Sequence, residues 1–435
     1  MHLLQMNKSL SGGKMQRKNI TTLAAAMLLA AAVPSAQAFE IGGSNGWKFS
    51  TDGFLNVFGT YETVGTRPAG VIGGTLGGDQ TGTGERQQQF RIRTGLLPVG
   101  IGLNIKAPTT NGVDYAVRLG IYPQIQNNGG SRTDISPNID FREINLTADG
   151  KFGQVLAGRA INLYQAKNIL TDMTLFGAGV IGPVNSGPTM GHIGYGYLYP
   201  NFGAQIRYTS PDLGGVKIAF SVNDTNDIGS ATIRNVPRLE TEISYATTFT
   251  GGKMQAWVSG LYQQASFSSA PTVTIPATLN PDGTTTPAQT VAAVRPGGHA
   301  TSLGGAGGVE VGFGGVDLLA SCYGGQALGM LGLQGADALS ADGEERFNWG
   351  FLTQATYLLT PELKLGVNYG QSRAELAGND TDLNVQKQQA TVVALTYSIN
   401  KFVQVIGEYT WAQNKWYNGA TQDANIGALG TFIYW

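Results

Sequence analysis

Apolar and polar residues alternate with a period of two along most of this chain. In the segment GVKIAFSVND, which begins at Gly215, every second residue from Val216 to Val222 is apolar. The same alternation recurs in the segments 111–122, 361–370 and 389–399. Since successive side chains of a β-strand point to opposite faces, each segment predicts a strand with one apolar side.

The last ten residues, IGALGTFIYW, alternate right up to the terminal Trp435. Chain ends are usually solvated and frayed, so an apolar end needs a partner. The last strand of a closed barrel has one, because it pairs with the first strand and has lipid on one face. We expect it to pair with Thr51–Glu62, and we expect its aromatic residues to lie in the interfacial girdle.

Two classes of connection separate the alternating segments. Long polar segments span 63–86, 161–191, 264–298 and 329–345. Short ones rich in Gly, Pro, Asn and Asp are typical of tight hairpin turns, and they lie at 108–112, 149–152, 211–215, 250–253, 313–315, 360–362 and 398–401. Tight turns on one rim and long loops on the other are typical of outer-membrane barrels. With both termini on the tight-turn rim, these turns predict an all-β, transmembrane antiparallel β-barrel of about 16 strands.

Two segments are not expected to form a single strand each. The apolar stretch 90–107 is long for a single strand, and the segment 272–294 could form a hairpin of its own inside a loop.

Composition agrees with a barrel. Charged residues make up only 13% of the chain, Gly numbers 63, and the mean hydropathy is −0.06. Beyond the N-terminal region no apolar run approaches the roughly 20 residues of a membrane-spanning helix. Alternation of lipid-facing and water-facing residues accounts for this middling hydropathy.

The N-terminus predicts export. Lys8, Lys14, Arg17 and Lys18 precede a short apolar run, and the A-x-A motif at Ala36–Ala38 follows it. This order is typical of a cleaved signal peptide over residues 1–38, with one barrel domain over 39–435. The single cysteine, Cys322, cannot form an internal disulfide. The remaining chain is mildly acidic, which argues against a nucleic-acid partner.

Successive residues of a strand face alternately outward and inward, and this alternation, or parity, predicts charged side chains in the lumen. If Phe90 and Ile92 face lipid, their neighbours Arg91 and Arg93 face inward. A charge on the lipid face would cost roughly 2–4 kcal/mol near the midplane, so the inward assignment is favoured. The same argument gives a basic group of Arg91, Arg93, Arg118, Arg207 and Lys217, and an acidic group of Asp114, Glu240 and Glu242. The basic group could narrow the pore and favour anions. Alternatively, these charges could simply pair across the wall.

Residues 141–164, FREINLTADGKFGQVLAGRAINLY, resemble the trimeric general diffusion porins of Gram-negative outer membranes. Residues 206–222 and the terminal aromatic residue are similar to the same family. The resemblance implies a homotrimer in the outer membrane that lets small hydrophilic solutes and ions diffuse passively. It also implies two further partners, outer-membrane lipid and the barrel-assembly machinery, which reads the C-terminal strand.

The resemblance also implies that a long third loop folds into the lumen and narrows it. That loop would span 161–191, with Asp172 as its only acidic residue. Arg159, in the Gly158-Arg159 pair, falls where the family places an arginine of the pore wall. The sequence departs from the better-known members of the family, since TLFGAG keeps only the Phe-Gly of their loop motif.

Other functions find little support in the sequence. His192 and His299 lie in no catalytic motif, and no cluster of His, Cys or carboxylates has metal-ligand spacing. We therefore expect no enzyme, no metal and no cofactor. Two alternatives to a general channel stay open. One is a channel selective for a small anion or aromatic acid, with Tyr122 and Tyr323 as a lumen track; the other is a surface adhesin or structural barrel that uses the loop 264–298.

Overall fold

A computed structural model describes residues 39–435 apart from 79–84, 128–138, 183–186, 269–271, 276–277, 280–284, 287–288, 293–297 and 333. The predicted signal peptide, residues 1–38, lies outside the described residues, and its cleavage stays a prediction.

Strands make up nearly all of the regular structure. They are β1 (Phe39–Gly42), β2 (Lys48–Val64), β3 (Gln87–Arg93), β4 (Gly100–Lys106), β5 (Asp114–Pro123), β6 (Ile139–Gly150), β7 (Gly153–Ile161), β8 (Phe202–Thr209), β9 (Val216–Asn223), β10 (Arg238–Phe249), β11 (Gly252–Ser266), β12 (Thr272–Ile275), β13 (Thr278–Leu279), β14 (Thr285–Thr286), β15 (Gln289–Ala292), β16 (His299–Phe313), β17 (Val316–Gln326), β18 (Phe347–Leu358), β19 (Leu363–Ala374), β20 (Val385–Ser398), β21 (Val403–Trp416) and β22 (Thr421–Tyr434). The described residues also form one α-helix, α1 (Ala166–Thr171), and two 3₁₀ turns, Met173–Phe176 and Ala336–Ala338. None of these helices is long and apolar enough to cross a membrane.

The sheet closes on itself as an antiparallel barrel of 16 strands, as predicted. The last strand, β22, pairs with β2 in continuous register from Phe54 opposite Tyr434 to Val64 opposite Ala424. This confirms the expected partner of the C-terminal segment. The short β1 pairs with the start of β2, beside the place where β22 ends.

The long segment 90–107 forms two half-strands. Both β3 and β4 pair with β2, so they occupy one position of the barrel with a break at 94–99. Backbone groups of a distant segment fill the break: Leu96 donates to the carbonyl of Gly177, and Thr189 donates to the carbonyl of Gly95. The interruption therefore does not leave these groups unpaired.

The predicted connections are confirmed. All seven tight turns join consecutive strands, and the long segments lie at the opposite ends of the strands. The hairpin inside the loop 264–298 is also present, with β12 paired to β15 and β13 paired to β14.

The outer surface of the barrel is apolar, with Phe90, Ile206 and Leu429 each more than half exposed. One expectation about the outer surface is wrong. Phe432 and Tyr434 of the last strand point inward and are buried, and both pack against Phe176. The outward positions in this strand alternate with them and include Leu429 and Ile433, so parity excludes Phe432 and Tyr434 from the girdle.

Candidate functional site

The segment between β7 and β8, residues 162–201, contacts inward-facing side chains around most of the barrel; we call it the docking loop. It is longer than the predicted 161–191, because β8 begins only at Phe202. Its described residues are mostly buried and include α1 and the 3₁₀ turn Met173–Phe176. Asp172 caps this turn by accepting a hydrogen bond from the backbone N–H of Thr174 at 3.0 Å.

Two buried carboxylates of the wall bind backbone N–H groups of the docking loop. Glu240 of β10 accepts from Leu163 and Tyr164 at 2.7 and 3.1 Å. Glu408 of β21 accepts from Ala178 and Gly179 at 2.7 and 3.0 Å. These hydrogen bonds tie the start and the middle of the loop to distant strands.

Gly177 explains how Glu408 reaches the loop. A Cβ at Gly177 would lie 1.8 Å from Oε1 of Glu408, far inside van der Waals contact. Only a glycine leaves room for the carboxylate beside the N–H groups of Ala178 and Gly179, so the Phe-Gly pair in TLFGAG has a structural reason here.

A third buried carboxylate, Asp172, belongs to the docking loop itself. It accepts from the Tyr197 hydroxyl at 2.8 Å, from the Asn368 amide of β19 at 2.9 Å, and from the Thr174 hydroxyl. The Nδ1 atom of His192 lies 3.8 Å away. Burial lowers the pKa of His192 below its usual value, and the Asp172 carboxylate partly opposes this shift.

Neutral side chains supply the other attachments of the loop. Trp257 of β11 donates to Asn168 at 2.9 Å, and Gln388 of β20 donates to the carbonyl of Gly194 at 2.7 Å. Gln354 of β18 accepts from the N–H of Met173 at 2.7 Å, while Phe176 packs against Phe432 of β22. The loop is therefore bonded to or packed against β10, β11 and β18 to β22.

The facing part of the wall, from β4 to β8, carries arginines. Arg118 of β5 bonds both oxygens of Asp52 at 2.8 and 3.0 Å, and its Nε donates to Glu143 at 2.8 Å. Arg142 of β6 lies over the rings of Tyr122 and Phe202 at 5.5 and 5.7 Å. Cations over aromatic faces in this way gain about 0.5–2 kcal/mol.

Most of the predicted basic residues lie on the inward side. Arg93 is fully buried and donates to the carbonyl of Gly187, and Arg91 donates to the carbonyl of Asn127 at 2.6 Å. Arg207 is buried and donates to the carbonyl of Ile161. Lys217 shares the inward face of β9 with the buried Ala219 and is itself exposed.

Arg159 is the exception, and its assignment to the pore wall is wrong. It pairs in register with Ile144 and Ala204, and both of them are exposed on the outward side. Its guanidinium donates to the carbonyl of Phe202 at 2.6 Å. Since the inward positions of β7 alternate with it, the resemblance assigned Arg159 to the wrong face of its strand.

The predicted acidic residues are not gathered at one place. Asp114 pairs with Lys106 at 3.2 Å near the tight turns, whereas Asp172 and Glu240 are used in attaching the loop. Glu242 points inward beside Glu240 and is buried.

Sequence reasoning missed several residues of this site. Glu408 and Trp257 occupy inward positions by parity, but their partners lie in a loop that periodicity does not place. Arg142 was hidden by a β-bulge that shifts the register between Gly120 and Ile121, opposite β6. Arg238, which pairs with Glu240 at 2.6 Å, could have been found by parity from Glu240.

The predicted aromatic track does not form a continuous surface. Tyr122 is buried beneath Arg142, and its hydroxyl donates to Glu143 at 2.5 Å. Tyr323 is buried against Tyr164 of the docking loop.

A cavity of about 810 Å³ lies between the docking loop and the tight-turn ends of the strands. Lys167 and Met173 of the loop border it on one side. Charged residues of both signs line the rest, including Lys253, Lys364 and Glu310. In the described part of the chain, no three His, Cys, Asp or Glu side chains are grouped to hold a metal ion.

A closed barrel with charged residues on its inner wall raises the question of family. The family model described as Gram-negative porin matches residues 22–417. The chain belongs to the Gram-negative porin family. This confirms the resemblance seen in residues 141–164, and the outer membrane is the location of this porin.

Solved structures share the fold of this porin at low sequence identity. The outer membrane channel DcaP of Acinetobacter baumannii gives a TM-score of 0.62 at 14% identity, over 91% of this chain and 100% of that chain. The anion-selective porin from Comamonas acidovorans gives 0.58 at 14% identity, over 89% and 100%. OmpF of Salmonella typhi, in complex with daunomycin, gives 0.51 at 13% identity, over 89% and 98%. A sequence search of curated proteins found no match. Family and fold together support an outer-membrane diffusion channel.

Proposed function

We propose that this porin admits small hydrophilic solutes and ions by passive diffusion, that the docking loop folds into the lumen and limits their size, and that basic residues of the wall favour anions. The observation that carries the proposal is the pair of carboxylates, Glu240 and Glu408, that bind the loop backbone from distant strands. A loop bonded to inward-facing groups on β10 and β21 occupies cross-section that solutes would otherwise use. Because the loop is fixed there, it sets an upper limit on the size of solutes that pass.

The attachment of the loop also affects the selectivity between anions and cations. Wall and loop carboxylates at this level are buried: Glu240, Glu408 and Asp172 are each no more than 8% exposed. Cationic side chains near this level reach solvent more readily, since Arg91 and Lys167 are half-buried. Because a charge acts on a passing ion most strongly where both meet in the same water, this difference in exposure favours anions over cations. Arg118 contributes less, since it is paired with Asp52 and Glu143.

The test is the single-channel conductance of the purified protein in a planar bilayer, with the reversal potential measured under a KCl gradient. We expect stepwise, ohmic currents and an anion-selective reversal potential. A cation-selective reversal would reject the role of the basic wall but keep the channel. No conductance from folded protein would reject the channel itself and favour an adhesive or structural barrel, for which deletion of 269–297 would then be tested for loss of partner binding.

We also propose that the chain assembles as a homotrimer in outer-membrane lipid, after insertion by the barrel-assembly machinery acting on β22. The similarity to trimeric porins in residues 141–164 supports the assembly, and the terminal aromatic residue supports the recognition of β22. Native mass spectrometry in detergent gives the oligomeric state directly, and a monomer as the main species would reject the trimer.

A further inference from the structure

Three cations lie side by side on the outer surface of the barrel, at the rim of the long loops. Arg373 of β19 is in register with Lys387 of β20, and Lys387 is in register with Lys415 of β21. We call these three residues the cationic row. Like charges directly opposite each other on neighbouring strands are destabilising, so the row calls for an anion.

Alternation fixes the row on the outward side. The residues next to it point inward and contact the docking loop: Ser372 accepts from the N–H of Gly196, and Gln388 donates to the carbonyl of Gly194. Asn414, beside Lys415, is fully buried against Tyr195. Since successive residues of a strand point to opposite faces, the cationic row faces away from the lumen.

The protein itself does not neutralise the row. Among the described residues none of the three cations forms an ion pair. Glu375 and Asp423 lie nearby but form no ion pair with the row: Glu375 accepts from Trp349 and Tyr417, and Asp423 pairs with Arg86. Arg373 lies over the ring of Trp349 at 5.2 Å, and its Nε is buried without a hydrogen-bond partner.

The height of the row matches a lipid headgroup. Tyr369 and Trp411 lie on the same outward face, four residues nearer the membrane centre than Arg373 and Lys415. Four residues of a strand tilted as in outer-membrane barrels rise about 10 Å along the membrane normal. Aromatic side chains of this kind mark the interface between hydrocarbon and headgroups. Tyr369 and Trp411 lie about 10 Å below the row and Trp349 lies at its height, so the row is at the headgroup side of this interface.

Among the described strand residues, no other outward positions on this rim carry three cations in register. Ile121 pairs with Phe141, and Leu303 pairs with Gln326. The sector β19 to β21 is therefore distinct in charge, although its apolar band resembles that of the other strands.

We propose that the cationic row binds a phosphate group of a lipid headgroup in the leaflet at the long-loop rim. Neighbouring strands lie about 4.8 Å apart, so the three cations span about 10 Å and can converge on one phosphate or on two close ones. Arg373, held over Trp349, offers the planar guanidinium that suits phosphate oxygens, and the two lysines add point charges. The lipid would be held by its headgroup here and by its acyl chains against the apolar band below.

The test measures lipid retained by the full-length protein in detergent, by native mass spectrometry. The probes are lipid A with two phosphates and the same lipid with its phosphates removed. We expect the wild type to retain the phosphorylated form. We expect the triple variant R373Q/K387Q/K415Q to bind it on the order of 100-fold more weakly, about fivefold for each cation. The charge-preserving variant R373K/K387R/K415R should retain binding, and it also serves if the glutamine variant folds poorly.

The matched control is K151Q/K401Q, which removes two exposed cations from the tight-turn rim and should bind lipid A as the wild type does. Equal retention of both lipids by the wild type, or undiminished binding by R373Q/K387Q/K415Q, would overturn the proposal. Displacement of lipid A by an equal concentration of inorganic phosphate would assign the row to a free anion instead. A changed oligomeric state with unchanged lipid binding would assign it to a second protein. Since the row lies outside the lumen, single-channel conductance should not change, so this test and that of the proposed channel can fail separately.

Discussion

The two halves of the inner wall hold their polar groups in different ways. Along β10, β11 and β18 to β22, which we call the docking arc, inward side chains bind the backbone of the docking loop, as Glu408 and Gln388 do. Along β4 to β8, which we call the arginine arc, inward side chains bind one another or the adjacent β2, as Arg118 does with Glu143 and with Asp52 of β2. Both arcs come from the same strand alternation. What differs is whether a second piece of chain covers the wall.

This difference shows two ways in which the polar groups on the inner surface of a barrel can find hydrogen-bond or charge partners. Where the loop covers the wall, the wall must supply acceptors and donors for loop N–H and C=O groups, because buried backbone groups need partners. Carboxylates and amides suit this task. Along the arginine arc, where the loop makes fewer bonds to the wall, oppositely charged side chains such as Arg118 and Glu143 pair across neighbouring strands.

Removing Glu408 should produce the largest change in the docking arc. In Glu408→Ala the N–H groups of Ala178 and Gly179 lose their acceptor, and each buried unpaired group costs about 1–3 kcal/mol. We expect the middle of the docking loop to detach, with a single-channel conductance raised by about half or more and greater current noise. Planar-bilayer recording measures both.

The matched control is Glu408→Gln, which removes the charge but keeps a side-chain oxygen for these N–H groups. It should stay close to the wild type in conductance and noise. If E408A conducts as quietly as the wild type, Glu408 does not hold the loop, and size exclusion would have to be sought elsewhere.

The strands were accessible from the sequence because alternation is local. The period of two predicted the apolar face of each strand, and the turn residues of segments such as 149–152 predicted where each hairpin turns. The pairing of β22 with β2 also followed, since a closed barrel leaves no other partner for an apolar last strand.

The docking loop was not accessible in the same way. Its contacts join residues far apart in the chain, such as Glu408 with Ala178, and no period relates them. Parity nevertheless assigned Arg93 and Arg207 to the inward side. It also contradicts the assignment of Arg159, which came from resemblance rather than from alternation. The prediction for Phe432 and Tyr434 failed for a different reason. Their aromatic character predicted the membrane girdle, but both point inward and pack against Phe176 of the docking loop.

A smaller change is expected from Arg118 in the arginine arc. Arg118→Gln leaves Asp52 and Glu143 without their shared cation, so the local charge becomes more negative by one. At a few ångströms in water this is worth about 1 kcal/mol for a passing ion. We expect the ratio of anion to cation permeability to fall about two- to fivefold, measured as a shift of the reversal potential under a KCl gradient.

Arg159→Gln is the control, since it removes the same charge from the outer surface of the barrel. It should leave the reversal potential unchanged. A shift of equal size in both variants would mean that total charge rather than the arginine arc sets selectivity.

The smallest effect should come from His192, and only in acid. Burial lowers the pKa of His192 in the docked loop, whereas in a released, solvated loop the pKa returns to about 6.5. The released state therefore binds the proton more readily, so docking is unaffected well above pH 6.5 and weakens as pH falls below it. Asp172, 3.8 Å away, favours the protonated imidazole and limits the effect.

We expect current noise to increase between pH 7.5 and 5.5 in the wild type and to change less in His192→Asn, which does not titrate. An equal rise of noise in both proteins would show that His192 is not the group responsible for the acid response.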